Sequence, residues 1–119
     1  KEGNVMKEAY DHKVPVHIIH GVPKKGTLPH RQSIVDITPS DSVFLSAFSQ
    51  SEDGKAYTLR VWNSREQDQK VSIQTSLPVK KVYKVRMDES ETQTEYKVQK
   101  GKISFPMRRA EIVTLRLEL

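Results

Sequence analysis

The stretch from Ser42 to Asn63 constrains the fold of this chain more than any other. It reads SVFLSAFSQ, SEDG and KAYTLRVWN, which are two alternating segments joined by a short acidic connection. Gly54 closes that connection, and a glycine there supplies the positive φ that a short hairpin turn requires. The sequence therefore predicts a β-hairpin with a four-residue turn at 51–54.

This hairpin is predicted to be covered on both of its sides. Successive strand side chains point to opposite faces of a sheet. The first strand then has two partly apolar faces, with Val43, Leu45 and Ala47 on one and Phe44, Ser46 and Phe48 on the other. In the second strand, Tyr57, Leu59 and Val61 lie opposite Thr58, Arg60 and Trp62. We expect one side to be the core of this chain and the other to meet a neighbour.

Short alternating segments recur along the rest of the chain. Strands are predicted at 14–21, 33–37, 70–77, 79–87, 96–98, 103–107 and 112–119, with a loop at 88–93 and a tight turn at Gly101. Within 79–87, the alternation places Val79, Tyr83, Val85 and Met87 on one face, which also includes Lys81. No convincing helix of ten residues interrupts the series. Eight or nine short strands at regular spacing predict an all-β fold, an antiparallel β-sandwich.

The length of 119 residues favours a single domain over 1–119, with residues 1–13 as a linker or frayed start. Because the chain begins without Met, we expect it to be excised from a larger protein. No apolar run approaches the ~20 residues that cross a bilayer, so no membrane partner is expected. Nor does the start of the chain have the apolar core of a secretory signal.

The chain contains no cysteine, which excludes a disulfide framework and a thiolate metal site. It also favours a reducing compartment, and we expect a cytoplasmic protein. The net charge of +5 comes from 20 basic and 15 acidic residues interspersed along most strands. Since no nucleic-acid motif accompanies the basic groups, a solvated surface is favoured over nucleic-acid binding.

The sequence offers neither a predicted metal site nor a catalytic group. His17 and His20 are three apart, which places them on opposite faces of a strand, and His12 and His30 lie in polar segments. Glycoside hydrolysis generally uses two positioned carboxyl groups. The acidic groups at 52–53 and 88–91 are instead interpreted as solvated turn residues, and no nucleophile motif is present.

The segment VFLSAFSQSEDGKAYTLRVWN resembles one near the C-terminus of glycoside hydrolase family 38 α-mannosidases. There, an alternating strand carries a Ser-Ala pair, leads into Glu-Asp-Gly and resumes as a Leu-Arg-aliphatic-aromatic-Asn strand. The resemblance extends upstream to GTLPHRQSIVDI and downstream to LPVKKVYKVRMDE and RRAEIVTLRLEL, so it covers most of the chain after Gly26.

The resemblance implies a non-catalytic C-terminal domain of a retaining α-mannosidase, an enzyme that hydrolyses terminal α-mannosides. It places the nucleophile and the zinc ligands in a separate catalytic domain of the same polypeptide. None of those motifs has a matching position here, so no catalytic or metal residue is carried over and no cofactor is expected in this fragment. The expected partner is the catalytic domain, with Arg60, Trp62 and Asn63 as the candidate contact.

Two other functions remain open from the sequence. The first is a carbohydrate-binding module that stacks mannosides on Trp62, the only tryptophan. Interdomain or ordinary packing of Trp62 is favoured over sugar stacking, because one aromatic residue at a strand end makes a poor sugar platform. The second is a structural or adhesive sandwich domain of a surface protein.

Overall fold

A computed structural model describes residues 3–119, without the side chains of residues 91–93. The described residues form one helix and nine strands in the order α1 (Val5–Lys13), β1 (Val35–Thr38), β2 (Val43–Gln50), β3 (Tyr57–Asn63), β4 (Gln69–Thr75), β5 (Lys81–Val85), β6 (Glu91–Tyr96), β7 (Val98–Gln99), β8 (Lys102–Met107) and β9 (Ile112–Glu118). Within this range, no helix has the length and apolar character needed to cross a membrane.

The strands form two antiparallel sheets. One has four strands in the order β1-β4-β8-β7, and the other has five in the order β2-β3-β9-β5-β6. Their inner faces enclose one hydrophobic cluster. The predicted all-β antiparallel sandwich and its strand number are therefore confirmed.

Strict alternation in four strands builds the core. The inward-pointing residues of the four-stranded sheet are Val71 and Ile73 of β4 and Ile103 and Phe105 of β8. Those of the five-stranded sheet are Leu59 and Val61 of β3 and Val113, Leu115 and Leu117 of β9. All are 0–2% exposed. Fully burying one such aliphatic or aromatic side chain contributes about 1.5–3 kcal/mol, so the interlocked faces hold the two sheets together.

The central hairpin forms as predicted, with a longer connection. Gly54 has a φ of +72°, which confirms the expected left-handed position. The connection spans 51–56, because the Ser51 amide donates to the Ala56 carbonyl at 2.9 Å and closes the loop two residues later than the sequence suggested. The faces predicted for β3 are also confirmed, because Leu59 and Val61 pair directly with Leu115 and Val113 of β9.

The faces predicted for β2 are wrong beyond Leu45. The ladder with β3 shifts register between Leu45 and Ala47, which leaves Ser46 without an opposite residue. A β-bulge of this kind inserts one extra residue and reverses the alternation after it. Phe48 consequently lies opposite Leu59 on the inner face and stacks on Tyr57, with ring centroids 5.6 Å apart.

The strand predicted at 14–21 is also wrong. Residues 14–34 form no helix or strand, and their apolar side chains are exposed. A strand requires a neighbour for its backbone amides and carbonyls, and local alternation does not specify one. The preceding segment, expected as a linker or frayed start, contains α1, which has no buried residue and an ion pair between Lys7 and Asp11.

The face predicted for 79–87 requires a correction as well. Val82, assigned to the other face, is fully buried opposite Leu117 of β9, and Met87 is exposed. Val85 is buried and Val79 packs against the core, as predicted. Pairing with β9 fixes which side of β5 meets the core, and the count of apolar residues on each side does not. The loop predicted at 88–93 ends earlier than expected, because β6 begins at Glu91.

Candidate functional site

The side of the five-stranded sheet that faces away from the core carries most of the predicted site residues. Pairing across the strands arranges this outer face in three rows: Phe44, Trp62 and Ile112; then Ala47, Arg60, Thr114 and Val85; then Ser49, Thr58, Arg116 and Tyr83. The rows run from an apolar end to a charged end. Chain order does not display this gradient, because each row collects residues from three or four strands.

The apolar end is the row of Phe44, Trp62 and Ile112, here called the aromatic row. The Phe44 ring lies 6.3 Å from the Trp62 ring, centroid to centroid. The ring of Tyr10 of α1 also stacks on Phe44, at a centroid distance of 4.7 Å and an interplanar angle of 12°. Phe44 is therefore buried and Trp62 half-buried, whereas Ile112 remains 47% exposed. Together these four residues form an apolar surface at one end of the sandwich.

Arg60 occupies the middle of the outer face in a fixed position. Its Nε donates to Thr114 Oγ1 at 3.1 Å, and its Nη2 donates to the Met87 carbonyl at 3.2 Å. These bonds link β3 to β9 and to the segment after β5. A guanidinium held in this way keeps less rotamer freedom, so further contacts of its exposed part cost less entropy.

Arg116 and Asp53 form an ion pair at the charged end. Arg116 Nη2 donates to Asp53 Oδ2 at 2.8 Å, and Asp53 Oδ1 accepts from Ser51 Oγ at 2.6 Å and from the Lys55 amide at 3.0 Å. The Arg116 hydrogen bond is the largest cause that lowers the pKa of Asp53 below its usual range, followed by the bond from Ser51. The same contact raises the pKa of Arg116.

Glu89 joins the acidic turn at 88–91 to the same charged end of the outer face. Its carboxylate accepts from Thr58 Oγ1 at 2.9 Å and from the Glu52 amide at 2.8 Å. The residue itself has a φ of +63°. The two acidic turns, interpreted from the sequence as solvated, therefore meet in space, and Asp53 and Glu89 each have specific partners. Sequence reasoning missed these bonds because the partners lie 31 to 63 residues apart.

Asn63, the third predicted contact residue, lies inside the sandwich with an exposure of 0%. Its Nδ2 donates to the carbonyls of Gln67 and Arg108, both at 2.9 Å. Its Oδ1 accepts from the Arg65 amide at 3.1 Å and from Gln69 Nε2 at 2.8 Å. The side chain orders the loops at one end of the sandwich and leaves Arg60 and Trp62 as the surface pair.

The described residues do not fit a zinc site. His12, His17, His20 and His30 are all exposed, and across residues 3–119, outside the side chains at 91–93, no three His, Cys, Asp or Glu side chains group as metal ligands. The carboxylates of Asp53 and Glu89 at the charged end accept hydrogen bonds from side chains and backbone amides of the protein itself. These two carboxylates therefore have a structural role in joining the turns to the sheet.

The two antiparallel sheets pack over one core, so the fold is that of a β-sandwich domain. The outer face of its five-stranded sheet is aromatic at one end and charged at the other. The family model of the glycosyl hydrolases family 38 C-terminal beta sandwich domain matches residues 42–115. The chain belongs to this family and is a glycosidase-associated domain. No curated protein matches the chain. The matched range begins at the hairpin, so α1, the exposed segment after it and β1 lie outside it.

Proposed function

We propose that this chain is the non-catalytic C-terminal β-sandwich domain of an α-mannosidase and that it packs against the catalytic domain of the same polypeptide and supports it. Membership of the family 38 C-terminal domain carries this proposal. The parent enzyme would hydrolyse terminal α-mannosides with retention, using zinc bound in its catalytic domain. The absence of cysteine supports a cytoplasmic location for it.

The aromatic row and Arg60 are the proposed contact with the catalytic domain. Aromatic residues and arginine are enriched at the centres of protein interfaces, where they combine a large apolar area with a polar group. Trp62 is half-buried, and neighbouring Ile112 keeps 47% of its surface exposed. Arg60 lies in the adjacent row and is held by Thr114. Asn63 supports this surface from within, because it fixes the end of the strand that carries both residues.

The test compares the parent enzyme with and without residues 1–119, in the presence of zinc, and includes the isolated chain. We expect the truncated parent to lose α-mannosidase activity and thermal stability, and the isolated chain to be inert. Trp62→Ala should destabilise both proteins, and the loss in the parent should exceed the loss in the isolated chain by about 2 kcal/mol or more, the cost of truncating a central interface residue. Lys70→Ala is the matched control, because Lys70 is exposed on the opposite sheet.

The carbohydrate-binding module gives opposite results in the same experiment. It predicts a truncated parent with full activity on a small mannoside. It also predicts that mannosides bind the isolated chain and quench the fluorescence of Trp62, its only tryptophan. These two results together would overturn the proposed supporting role.

A further inference from the structure

Residues 14–22, here called the arm, expose an unusual amount of apolar surface. Val16, Ile18 and Ile19 are 86%, 78% and 92% exposed, and Val14 and Val22 are also exposed. The Val14 amide donates to the Tyr10 carbonyl at 2.9 Å. Residues 15–22 make no hydrogen bond to any other part of the described chain. Large apolar side chains exposed together in this way indicate a site of interaction.

The composition of the arm suits an extended strand. Five of its nine residues are Val or Ile, which favour the pleated backbone. Val14 already has extended dihedral angles, with φ −102° and ψ 97°. Pro15 has no amide hydrogen, so the backbone edge that carries residues 15, 17 and 19 is incomplete. A partner strand would therefore pair with the other edge, through the amides and carbonyls of residues 16, 18 and 20.

The position of the arm indicates what it faces. It follows directly after α1, and Tyr10 of α1 stacks on Phe44 of the aromatic row. The arm therefore leaves the domain beside the surface assigned above to the catalytic domain. It also precedes residue 42, where the match to the C-terminal domain family begins.

We propose that the arm adds as a β-strand to an open sheet edge in the part of the hydrolase that precedes this domain. The inference rests on the proposed function, because it requires a larger parent enzyme. Backbone hydrogen bonds from one edge of the arm would provide affinity, and apolar pockets for Val16, Ile18 and Ile19 would provide specificity. The partner is thus a free strand edge flanked by apolar side chains.

The described residues include open strand edges of their own, β1 in the four-stranded sheet and β2 in the five-stranded sheet. β2 is an edge strand, and its Leu45 and Phe48 are partly exposed. Both ends of the segment that contains the arm lie near β2, since Tyr10 stacks on Phe44 and β1 contacts β2. The arm nevertheless pairs with neither β1 nor β2, which favours a partner outside the described residues.

The test measures amide hydrogen exchange in the arm, in the parent enzyme and in the isolated chain. In the parent, we expect slow exchange at residues 16, 18 and 20 and fast exchange at 17 and 19, because only one edge is paired. In the isolated chain, all five amides should exchange quickly. Fast exchange at 16 and 18 in the parent would overturn the proposal. Equal protection in the isolated chain would also overturn it, because it would indicate pairing with an edge strand of this domain, such as β1 or β2.

A double substitution gives an independent readout. Val16→Asp with Ile18→Asp should leave the melting temperature of the isolated chain unchanged, because both side chains are exposed there. In the parent, the same change should lower the melting temperature by about 2–4 °C or more. The control pair Thr27→Asp with Leu28→Asp adds the same charge at exposed positions beyond the arm and should affect neither protein.

The outcome separates the two proposals. If removal of the domain inactivates the parent while the arm variant and its control behave alike, only the inference about the arm fails. If removal of residues 1–119 has no effect on activity or stability, the supporting function itself fails. Neither readout of the arm depends on the substrate of the parent enzyme.

Discussion

Gly54 and Gly101 have the same backbone conformation in different surroundings. Their φ angles are +72° and +73°, and both follow from their positions in tight connections. A Cβ on Gly54 would meet only the Gln50 amide nitrogen, at 3.7 Å. A Cβ on Gly101 would lie 2.5 Å from the Thr75 carbonyl oxygen, on a neighbouring strand. The sequence predicted both turns, but only the sandwich places β4 against the second one.

Substituting the two glycines by alanine separates backbone strain from steric overlap. Gly54→Ala should destabilise the chain by about 1–2 kcal/mol, which is the cost of a left-handed residue with a side chain. Gly101→Ala should cost more, because the β4 backbone must also move away from the new methyl group. Urea unfolding of both variants measures the difference, and equal losses would contradict the overlap with Thr75.

The pair of Asp53 and Arg116 should make stability depend on pH. Because the folded state lowers the pKa of Asp53, its ionised form stabilises the fold fully above the unfolded pKa of ~4. That contribution is lost as the pH falls below ~4 toward the folded value. Asp53→Asn should therefore destabilise the chain at pH 6, and the difference from wild type should shrink under acid.

Denaturant unfolding between pH 6 and pH 3 tests this dependence. Asp36→Asn is the control, since Asp36 is an exposed carboxylate on β1. It should change stability little at any pH in this range. A constant difference between wild type and Asp53→Asn down to pH 3 would show that the ion pair does not stabilise the fold.

Among the elements, the hairpin of β2 and β3 connects the core to the outer face. Its two strands and its glycine turn were predictable, because alternation and turn chemistry are local properties. The bulge at Ser46 was not predictable, since it depends on how β2 pairs with β3. It places Phe48 on the inner face while Phe44 stays outside beside Trp62. Trp62 therefore contacts one phenylalanine of β2, and the other packs on Tyr57.

Deletion of Ser46 tests the bulge directly. Deleting one strand residue normally turns all residues beyond it to the opposite face. Here, Leu45 and Ala47 would become consecutive in a regular ladder and keep their present partners, Val61 and Arg60. We expect the deletion to cost about 1 kcal/mol or less, because no face changes.

Deletion of Ser72, in the interior of β4, is the contrasting variant. Closing the gap would turn the side chains on one side of it, including Ile73, away from the core. This variant should therefore not fold. Circular dichroism and thermal melts distinguish the two results. Equal damage from both deletions would contradict the assignment of Ser46 as the unpaired residue.

For the whole molecule, nearly all burial lies in residues 35–119. Of the described residues before β1, only Tyr10 is partly buried, and it contacts the aromatic row. Ile34 accepts from the Ser76 amide and from Thr75 Oγ1, so the ordered sandwich begins next to β1. The N-terminal part of the chain therefore contributes little to the stability of the sandwich.

Removal of residues 1–32 should leave the sandwich folded. We expect the loss of the stacked Tyr10 to cost about 0.5–1.5 kcal/mol. Tyr10→Ala in the whole chain should reproduce most of this loss, because the remaining residues before β1 are exposed. Thermal melts of the two proteins provide the comparison, and unfolding of the shortened chain would show that the segment has a larger role.

The sequence by itself determined the fold class, the central hairpin, the glycine turns and the resemblance to the hydrolase domain, because alternation, turn residues and motifs are local. Only the tertiary structure decided the bulge at Ser46, the burial of Val82 and Asn63, and the meeting of Asp53 with Arg116. Those features depend on register and on contacts between residues far apart in the chain. The same reason explains the error at 14–21, where the residues have the pattern of a strand but no neighbour among the described residues to pair with.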